Sequence, residues 1–330
     1  MDFRVQAHGA LFAFTLAVAG LADCGANALA ADAPVFEFAP VQEARTVIGA
    51  HDDFVRGTTA LERRVRMKTR QPVDEDRFAR YLQSQVLEWR DDERKRIEPL
   101  LAGFPQFLAR LKWQRPDRIL LIVVDPEMEG GSPHTRANAI VLPRSFVAGS
   151  PRQLRLVLAH EVFHVLSRYN RELREALYAS IGFKRCARVE LPAAVEALRV
   201  TNPDAVENRH TLSVRLRGEA RDALPYVAFP SADVDVDANL LANLDTSWLL
   251  VDRAGGDCRA RVRSGTAERV APSQLQGVYE QIGRNSDYLI HPEELLADNF
   301  MLLMLSALGA GPPRVPSPEI IERMRAILFD

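Results

Sequence analysis

Apolar residues recur every three or four positions along several stretches of the chain, and this period predicts helices. In residues 73–111 charged residues separate the apolar ones, which predicts one or two amphipathic helices. A second stretch begins at Ser150-Pro151-Arg152-Gln153 and runs to about residue 168. This start is typical of a helix, because serine can accept hydrogen bonds from free backbone amides and proline fits the first turn. Similar patterns predict helices at residues 171–182, 292–308 and 317–328.

Short aliphatic and β-branched runs predict buried strands at residues 118–125 and 138–142. Because proline cannot donate a hydrogen bond to a neighbouring strand, Pro143 favours an edge position for the second run. Residues 200–265 include stretches in which apolar and polar residues alternate, and these predict a β-rich insertion. The expected fold class is therefore α+β.

The first thirty residues have the pattern of an export signal. Residues 10–22 form an apolar run that is too short for a membrane span. Ala28-Leu29-Ala30 offers the small side chains that a signal peptidase reads, so we expect cleavage after this triplet and a periplasmic or secreted protein. Lipid attachment at Cys24 is the alternative; against it, Asp23 stands where a small residue is expected.

Removal of this leader leaves two cysteines, Cys186 and Cys258. In an oxidising compartment we expect them to form one disulfide. Two unpaired buried thiols are the alternative, because the sequence does not establish that the two Cα atoms come within reach of each other.

The overall composition is that of an ordinary globular protein, with 47% hydrophobic and 26% charged residues. The 42 basic residues nearly balance the 44 acidic ones, for a formal charge of -2. This balance argues against nucleic acid and against an anionic membrane surface as partners. We expect an N-terminal helical region at 31–115 and a second region at 116–330 that contains the insertion.

A histidine pair in the helix after Ser150 predicts a metal site. In His160-Glu161-Val162-Phe163-His164 the two histidines are four residues apart, so both imidazoles project from one helical face and can reach one zinc ion. Glu161 lies beside that face, where it can act on a water at the metal. Two surface or hydrogen-bonded core histidines with an adjacent glutamate are the alternative.

A zinc site with two histidines needs a further protein ligand. The helix predicted at 292–308 places Glu294 and Asp298 on one face of an apolar stretch, where unpaired charge would be costly. A zinc ion and a histidine would supply partners for the two carboxylates. Glutamates in the first turn of this helix would also be stabilised by the helix dipole, without any metal. The alternative ligands are Glu293, His291 and His210.

His160-Glu161-x-x-His164, followed by Glu294-x-x-Ala297-Asp298, resembles the double signature of the gluzincin zinc metallopeptidases. The resemblance implies a zincin-like fold with a small mixed sheet and a second ligand helix near the C-terminus. It implies Glu294 as the third zinc ligand, and Asp298 as the residue that orients the imidazole of His160. It also implies that a peptide substrate binds along an edge strand, here expected between Asn138 and Leu142. One departure is the long stretch between His164 and Glu294, which has to fold aside and return the chain to the zinc.

The predicted activity is hydrolysis of peptide bonds. Zinc would activate a water and polarise the substrate carbonyl, while Glu161 would take a proton from the water and pass it to the leaving amine. Spacing does not select the donor that would stabilise the negative charge on the carbonyl oxygen; the candidates are Tyr288, His291, His210 and Tyr226. The alternative function is an envelope binding or structural protein on the same scaffold. Glu161 favours the enzyme, because a structural zinc site needs no general base.

Overall fold

The structure is a computed structural model, and it describes residues 34–312 and 314–329. The predicted export signal and Cys24 lie outside the described residues. The described chain is mixed α+β, as the sequence predicts. None of its helices has the length and apolarity needed to cross a membrane.

The helices are α1 (Val41–Ile48), α2 (Asp53–Gly57), α3 (Ala60–Arg66), α4 (Glu75–Ser84), α5 (Asp91–Ile97), α6 (Phe104–Leu108), α7 (Arg144–Val147), α8 (Pro151–Tyr169), α9 (Arg171–Ser180), α10 (Ala193–Glu196), α11 (Tyr279–Ile282), α12 (Pro292–Ala307) and α13 (Pro318–Phe329). The strands are β1 (Val35–Phe38), β2 (Arg118–Val124), β3 (His134–Arg136), β4 (Ala139–Pro143), β5 (Phe183–Arg185), β6 (Val189–Glu190), β7 (His210–Leu216), β8 (Glu219–Ala228), β9 (Asp245–Ala254), β10 (Asp257–Ala260), β11 (Val262–Arg263), β12 (Thr266–Ala267), β13 (Arg269–Val270) and β14 (Leu275–Gln276).

Residues 73–111 form three short helices, α4, α5 and α6, rather than one or two. Prolines and one glycine interrupt the apolar period. Pro99 lies in a short 3-10 helix after α5, and Gly103 adopts a left-handed conformation with φ of 83° just before α6. A residue with a side chain rarely takes this conformation, so a glycine suits a sharp change of chain direction.

The first sheet is small and mixed, with the strand order β1-β2-β4-β3. Strands β1, β2 and β4 are parallel, and β3 is antiparallel to β4. Val35 of β1 pairs with Arg118 of β2, so a strand of the N-terminal region belongs to the same sheet as the region that follows. Backbone hydrogen bonds therefore join the two regions that are expected to meet near residue 115.

The expectation of an edge strand between Asn138 and Leu142 is wrong. Strand β4 lies between β2 and β3, and β3 forms that edge of the sheet. The chain turns back at Ala137, whose φ is 49°, and this tight turn pairs His134 with Val141. The side chains of β3 are polar or charged but buried, so the hydrophobic pattern that reveals most buried strands is missing there.

Residues 200–265 are rich in β-strands, as the sequence predicts. Strands β7 to β10 lie within residues 200–265 and belong to an eight-stranded sheet that also includes β5, β6, β13 and β14. Cys186 and Cys258 form the predicted disulfide, with Cα atoms 5.8 Å apart. The bridge links the segment after β5 to strand β10, within a buried apolar cluster.

Helices α8 and α12 pack against each other in the main hydrophobic core. Phe163 of α8 and Phe300 of α12 have ring centroids 5.5 Å apart, and Trp113 contacts both rings. Ser150 precedes α8 as expected, although its side chain makes no capping hydrogen bond. Large apolar side chains therefore fix the position of the two helices that carry the predicted ligands.

Candidate metal centre

Two histidines of α8 face the first turn of α12. The rings of His160 and His164 lie one helical turn apart with centroids at 4.8 Å. One carboxylate oxygen of Glu294 is 3.2 Å from His160 Nε2 and 3.6 Å from His164 Nε2. The structure thus brings together the three side chains that the sequence predicts as zinc ligands.

The chemistry of this donor set fits a zinc ion. His160, His164 and Glu294 each offer a ligand atom, and these atoms lie within 4.8 Å of one another. Two buried atoms at the site, His164 Nε2 and Glu161 Oε2, have no hydrogen-bond partner in the described part of the chain. An unpartnered buried polar atom is costly. A bound cation would give His164 Nε2 a partner, and a water beside the cation would give one to Glu161 Oε2.

Asp298 is placed to orient His160. Its Oδ1 lies 2.9 Å from His160 Nδ1, which leaves Nε2 of the same ring free to face Glu294. The hydroxyl of Ser286 donates a hydrogen bond to the other oxygen of Asp298. A carboxylate held in this way fixes the ring orientation and strengthens the imidazole as a metal ligand.

Glu293 supports the second histidine. Its Oε1 lies 3.1 Å from His164 Nδ1, on the ring edge that faces away from Glu294. Hydroxyls of Ser167 and Tyr178 donate hydrogen bonds to the other oxygen of Glu293. Glu293 is one of the alternative ligands from the sequence, but in the structure it contacts His164 Nδ1 and does not belong to the three-ligand cluster. The adjacent pair Glu293-Glu294 was the only sequence signal for this role, because Ser167 and Tyr178 lie on α8 and α9.

The other predicted side chains lie at different places. His291 precedes α12 and accepts a hydrogen bond from Glu293 N through Nδ1, while Nε2 donates to the carbonyl of Glu207. His210 bonds to Glu175, and Tyr226 donates to the carbonyl of Val195. The structure brings none of these three to the three-ligand cluster.

Tyr288 lies on the cavity next to the cluster, with about half of its surface exposed. This cavity has a volume of about 350 Å³, and His160, Glu161 and Glu294 are among the residues that line it. Much of the remaining lining is apolar, including Leu156, Val157, Val200, Leu240 and Met301.

Burial and ion pairing shift the protonation of the site. Burial by itself would lower the pKa of His160, but hydrogen bonds to Asp298 and Glu294 raise that pKa to about 10. Burial also raises the pKa of Glu161 to about 8, and the nearby carboxylate of Asp204 adds to this rise. Glu294 has a lowered pKa, because the histidines outweigh the effect of its burial. Without a metal, the positive charge of the protonated imidazoles therefore balances the negative charge of the ionised carboxylates.

We expect the metal-free protein to lose stability as the pH rises from 6.5 to about 10. The protonated His160 contributes stability below pH 6.5, and this contribution is lost as the pH rises through its raised pKa of about 10. Glu161 adds to the loss up to about pH 8, because the folded chain disfavours its ionised form.

Urea unfolding in the presence of a chelator measures this loss. Saturating zinc is the control, because a metal takes the place of the ligand protons and should flatten the alkaline decline. An unfolding free energy of the metal-free protein that stays constant across this range would contradict the prediction.

Asp298→Asn should weaken zinc binding by about 10–100-fold, because an amide orients His160 less firmly than a carboxylate does. Competition with a chelating dye measures the affinity. Asp287→Asn is the matched control, since Asp287 is an exposed aspartate in the loop that precedes α12. Equal zinc affinity of Asp298→Asn and wild type would show that Asp298 does not support the metal.

No protein-family model, curated protein or solved structure matches this chain. The function of the site therefore has to be argued from its side chains. These comprise two histidines and one glutamate that converge, a second glutamate beside them, and a carboxylate behind each imidazole.

Proposed function

We propose that the chain is an exported zinc-dependent hydrolase of the gluzincin type that cleaves peptide bonds. The observation that carries this proposal is the convergence of His160, His164 and Glu294 with the unpartnered Glu161 Oε2 beside them. A zincin-like arrangement would explain why helices α8 and α12 pack with these residues facing each other. The disulfide and the signal-like N-terminal sequence support export.

When bound, zinc would supply a polarised carbonyl and a more acidic water. Glu161 Oε2 is the atom that would accept a proton from that water. The same carboxylate would then hold that proton and pass it to the leaving amine nitrogen. Asp298 and Glu293 would hold the two imidazoles in place while the proton moves.

Tyr288 is the proposed donor to the oxygen of the reacting carbonyl. Of the four predicted donors it alone lines the cavity that His160 and Glu161 share. A phenol at this position could donate a hydrogen bond to the negative charge that develops on the substrate oxygen. The apolar lining of the same cavity favours a substrate with an apolar side chain next to the cleaved bond.

A peptide substrate would bind along β3 rather than along β4, because β3 forms the edge of the sheet beside the centre. Backbone pairing with an edge strand is a common way of holding an extended peptide. His134 of β3 lines the same cavity as His160, so a peptide on this edge would pass the proposed reaction site.

The alternative function, a binding or structural protein on the same scaffold, is supported by one observation. Glu161 and His164 are only 4% and 1% exposed, and a metal held for stability lies in a closed environment of this kind.

Digestion of a peptide library by the zinc-loaded full chain tests the two functions. Cleavage that is lost after chelation and in Glu161→Gln would support the hydrolase. If neither the wild type nor the variants Asp204→Ala and Asp204→Asn, which change a carboxylate near Glu161, cleave any peptide while zinc is bound, the binding or structural function is favoured.

A further inference from the structure

Residues 201–204 cross the candidate metal centre between α10 and β7. Thr201 fixes this segment to helix α3: its amide donates to Glu62 Oε1 at 2.9 Å, and its carbonyl accepts from Arg66 Nη2 at 2.8 Å. Glu62 and Arg66 are buried and form an ion pair at 2.7 Å. The N-terminal helical region thus holds the segment over the centre.

Asn202 and Asp204 contact the site directly. Asn202 Nδ2 donates to Glu294 Oε1 at 2.6 Å, the carboxylate oxygen that does not face the histidines. Asp204 Oδ1 accepts from the backbone amide of Thr135 at 2.7 Å and from its hydroxyl at 2.6 Å. Thr135 is the central residue of β3, so Asp204 takes an edge-strand amide that a bound peptide would otherwise be able to use.

Asp204 also lies beside the three-ligand cluster, and the group to which it belongs shares His164 with that cluster. A carboxylate oxygen of Asp204, a nitrogen of His164 and an oxygen of Glu161 lie within 4.8 Å of one another. His164 and Glu161 each carry a buried atom without a hydrogen-bond partner in the described part of the chain, His164 Nε2 and Glu161 Oε2. Several carboxylates buried so close together repel one another unless cations balance them.

We propose that Asp204 is a fourth protein ligand of the metal, so that residues 201–204 hold the centre in a closed, latent form. The inference rests on the proposed metal centre. Three ligands leave one position of tetrahedral zinc for water or substrate, whereas four protein ligands are typical of closed sites. Asp204 in that position excludes substrate until the segment moves.

The two cavities beside the centre agree with this closed form. One is the cavity of about 350 Å³ that His160 lines, and the other, of about 320 Å³, is lined by Arg136, Arg168 and His210 among others. Pro203 and Asp204 line both cavities and form the wall between them. Displacement of these two residues would join the cavities into one cleft past β3, while the anchor at Thr201 could persist.

Cobalt substitution of the full chain tests the fourth ligand, with azide as the probe of an open position. Asp204→Ala removes the ligand, and Asp204→Asn keeps an oxygen that can still accept from Thr135, which protects the test if the alanine variant fails to fold. Asp233→Ala is the matched control, since Asp233 is an exposed aspartate of the same insertion.

We expect azide to leave the cobalt absorption of wild type and Asp233→Ala unchanged and to alter that of both Asp204 variants. Zinc affinity should fall by at least about tenfold in both Asp204 variants, because loss of a group that only orients a ligand already costs about that much. Peptide hydrolysis at saturating zinc should be faster in the Asp204 variants than in wild type.

The inference is overturned if azide changes the wild-type spectrum as much as that of the Asp204 variants and zinc affinities are equal. Failure of the proposed function would look different. In that case the Asp204 variants would bind azide and cleave no peptide, which would leave Asp204 as a ligand of a structural zinc site.

Discussion

Glu161→Gln should abolish peptide hydrolysis and leave zinc binding intact. Glutamine has the size and shape of glutamate but cannot accept the proton, so the fold and the ligand set should survive. General-base catalysis contributes about 10²–10⁴ in rate, and the same carboxylate would also deliver the proton to the leaving amine, so we expect a loss near the upper value.

Peptide turnover at saturating zinc measures the loss of activity, and elemental analysis of the same sample measures the zinc content. Glu161→Gln is compared both with wild type and, in combination with Asp204→Ala, with Asp204→Ala alone, because the Asp204 variants are expected to be the more active background. Glu172→Gln is the matched control, because Glu172 is an exposed glutamate on the neighbouring helix α9. Hydrolysis by Glu161→Gln at the wild-type rate would assign the activity to a contaminant or to another site.

His164→Ala should no longer bind one zinc per chain. We expect the zinc affinity to fall by more than about 100-fold, because the loss of a residue that only supports a ligand already costs up to that much. His164 provides one of three converging ligand atoms, and no described histidine other than His160 reaches the centre. The change also removes the partner of the buried Glu293 carboxylate, although Ser167 and Tyr178 still donate to it.

His210→Ala controls for the loss of a buried imidazole. His210 is equally buried but bonds to Glu175, away from the three-ligand cluster, so this variant should keep its zinc. Circular dichroism of both variants separates loss of metal from loss of fold. If His164→Ala retains one zinc per chain after dialysis against a mild chelator, the proposed centre is wrong.

Much of the fold could be predicted from local patterns. The apolar period and the Pro292 start place α12 within one residue of its observed bounds, and alternation reveals the β-rich insertion. The sequence does not reveal β3, because the side chains of this strand are buried but polar. The predicted edge position therefore falls on its neighbour β4. A strand of three residues carries too little periodic signal to be recognised.

The candidate site, like the fold, can be predicted from the sequence only in part. The spacing of His160, Glu161 and His164 by itself determines that the two imidazoles share a face of α8, because helical geometry repeats every 3.6 residues or so. Only the tertiary structure decides that Glu293 bonds to His164, that Glu294 faces both histidines, and that Asp204 lies beside His164 and Glu161. These contacts join segments separated by long loops, and the free energy that closes such loops comes from packing of the whole core rather than from any local pattern.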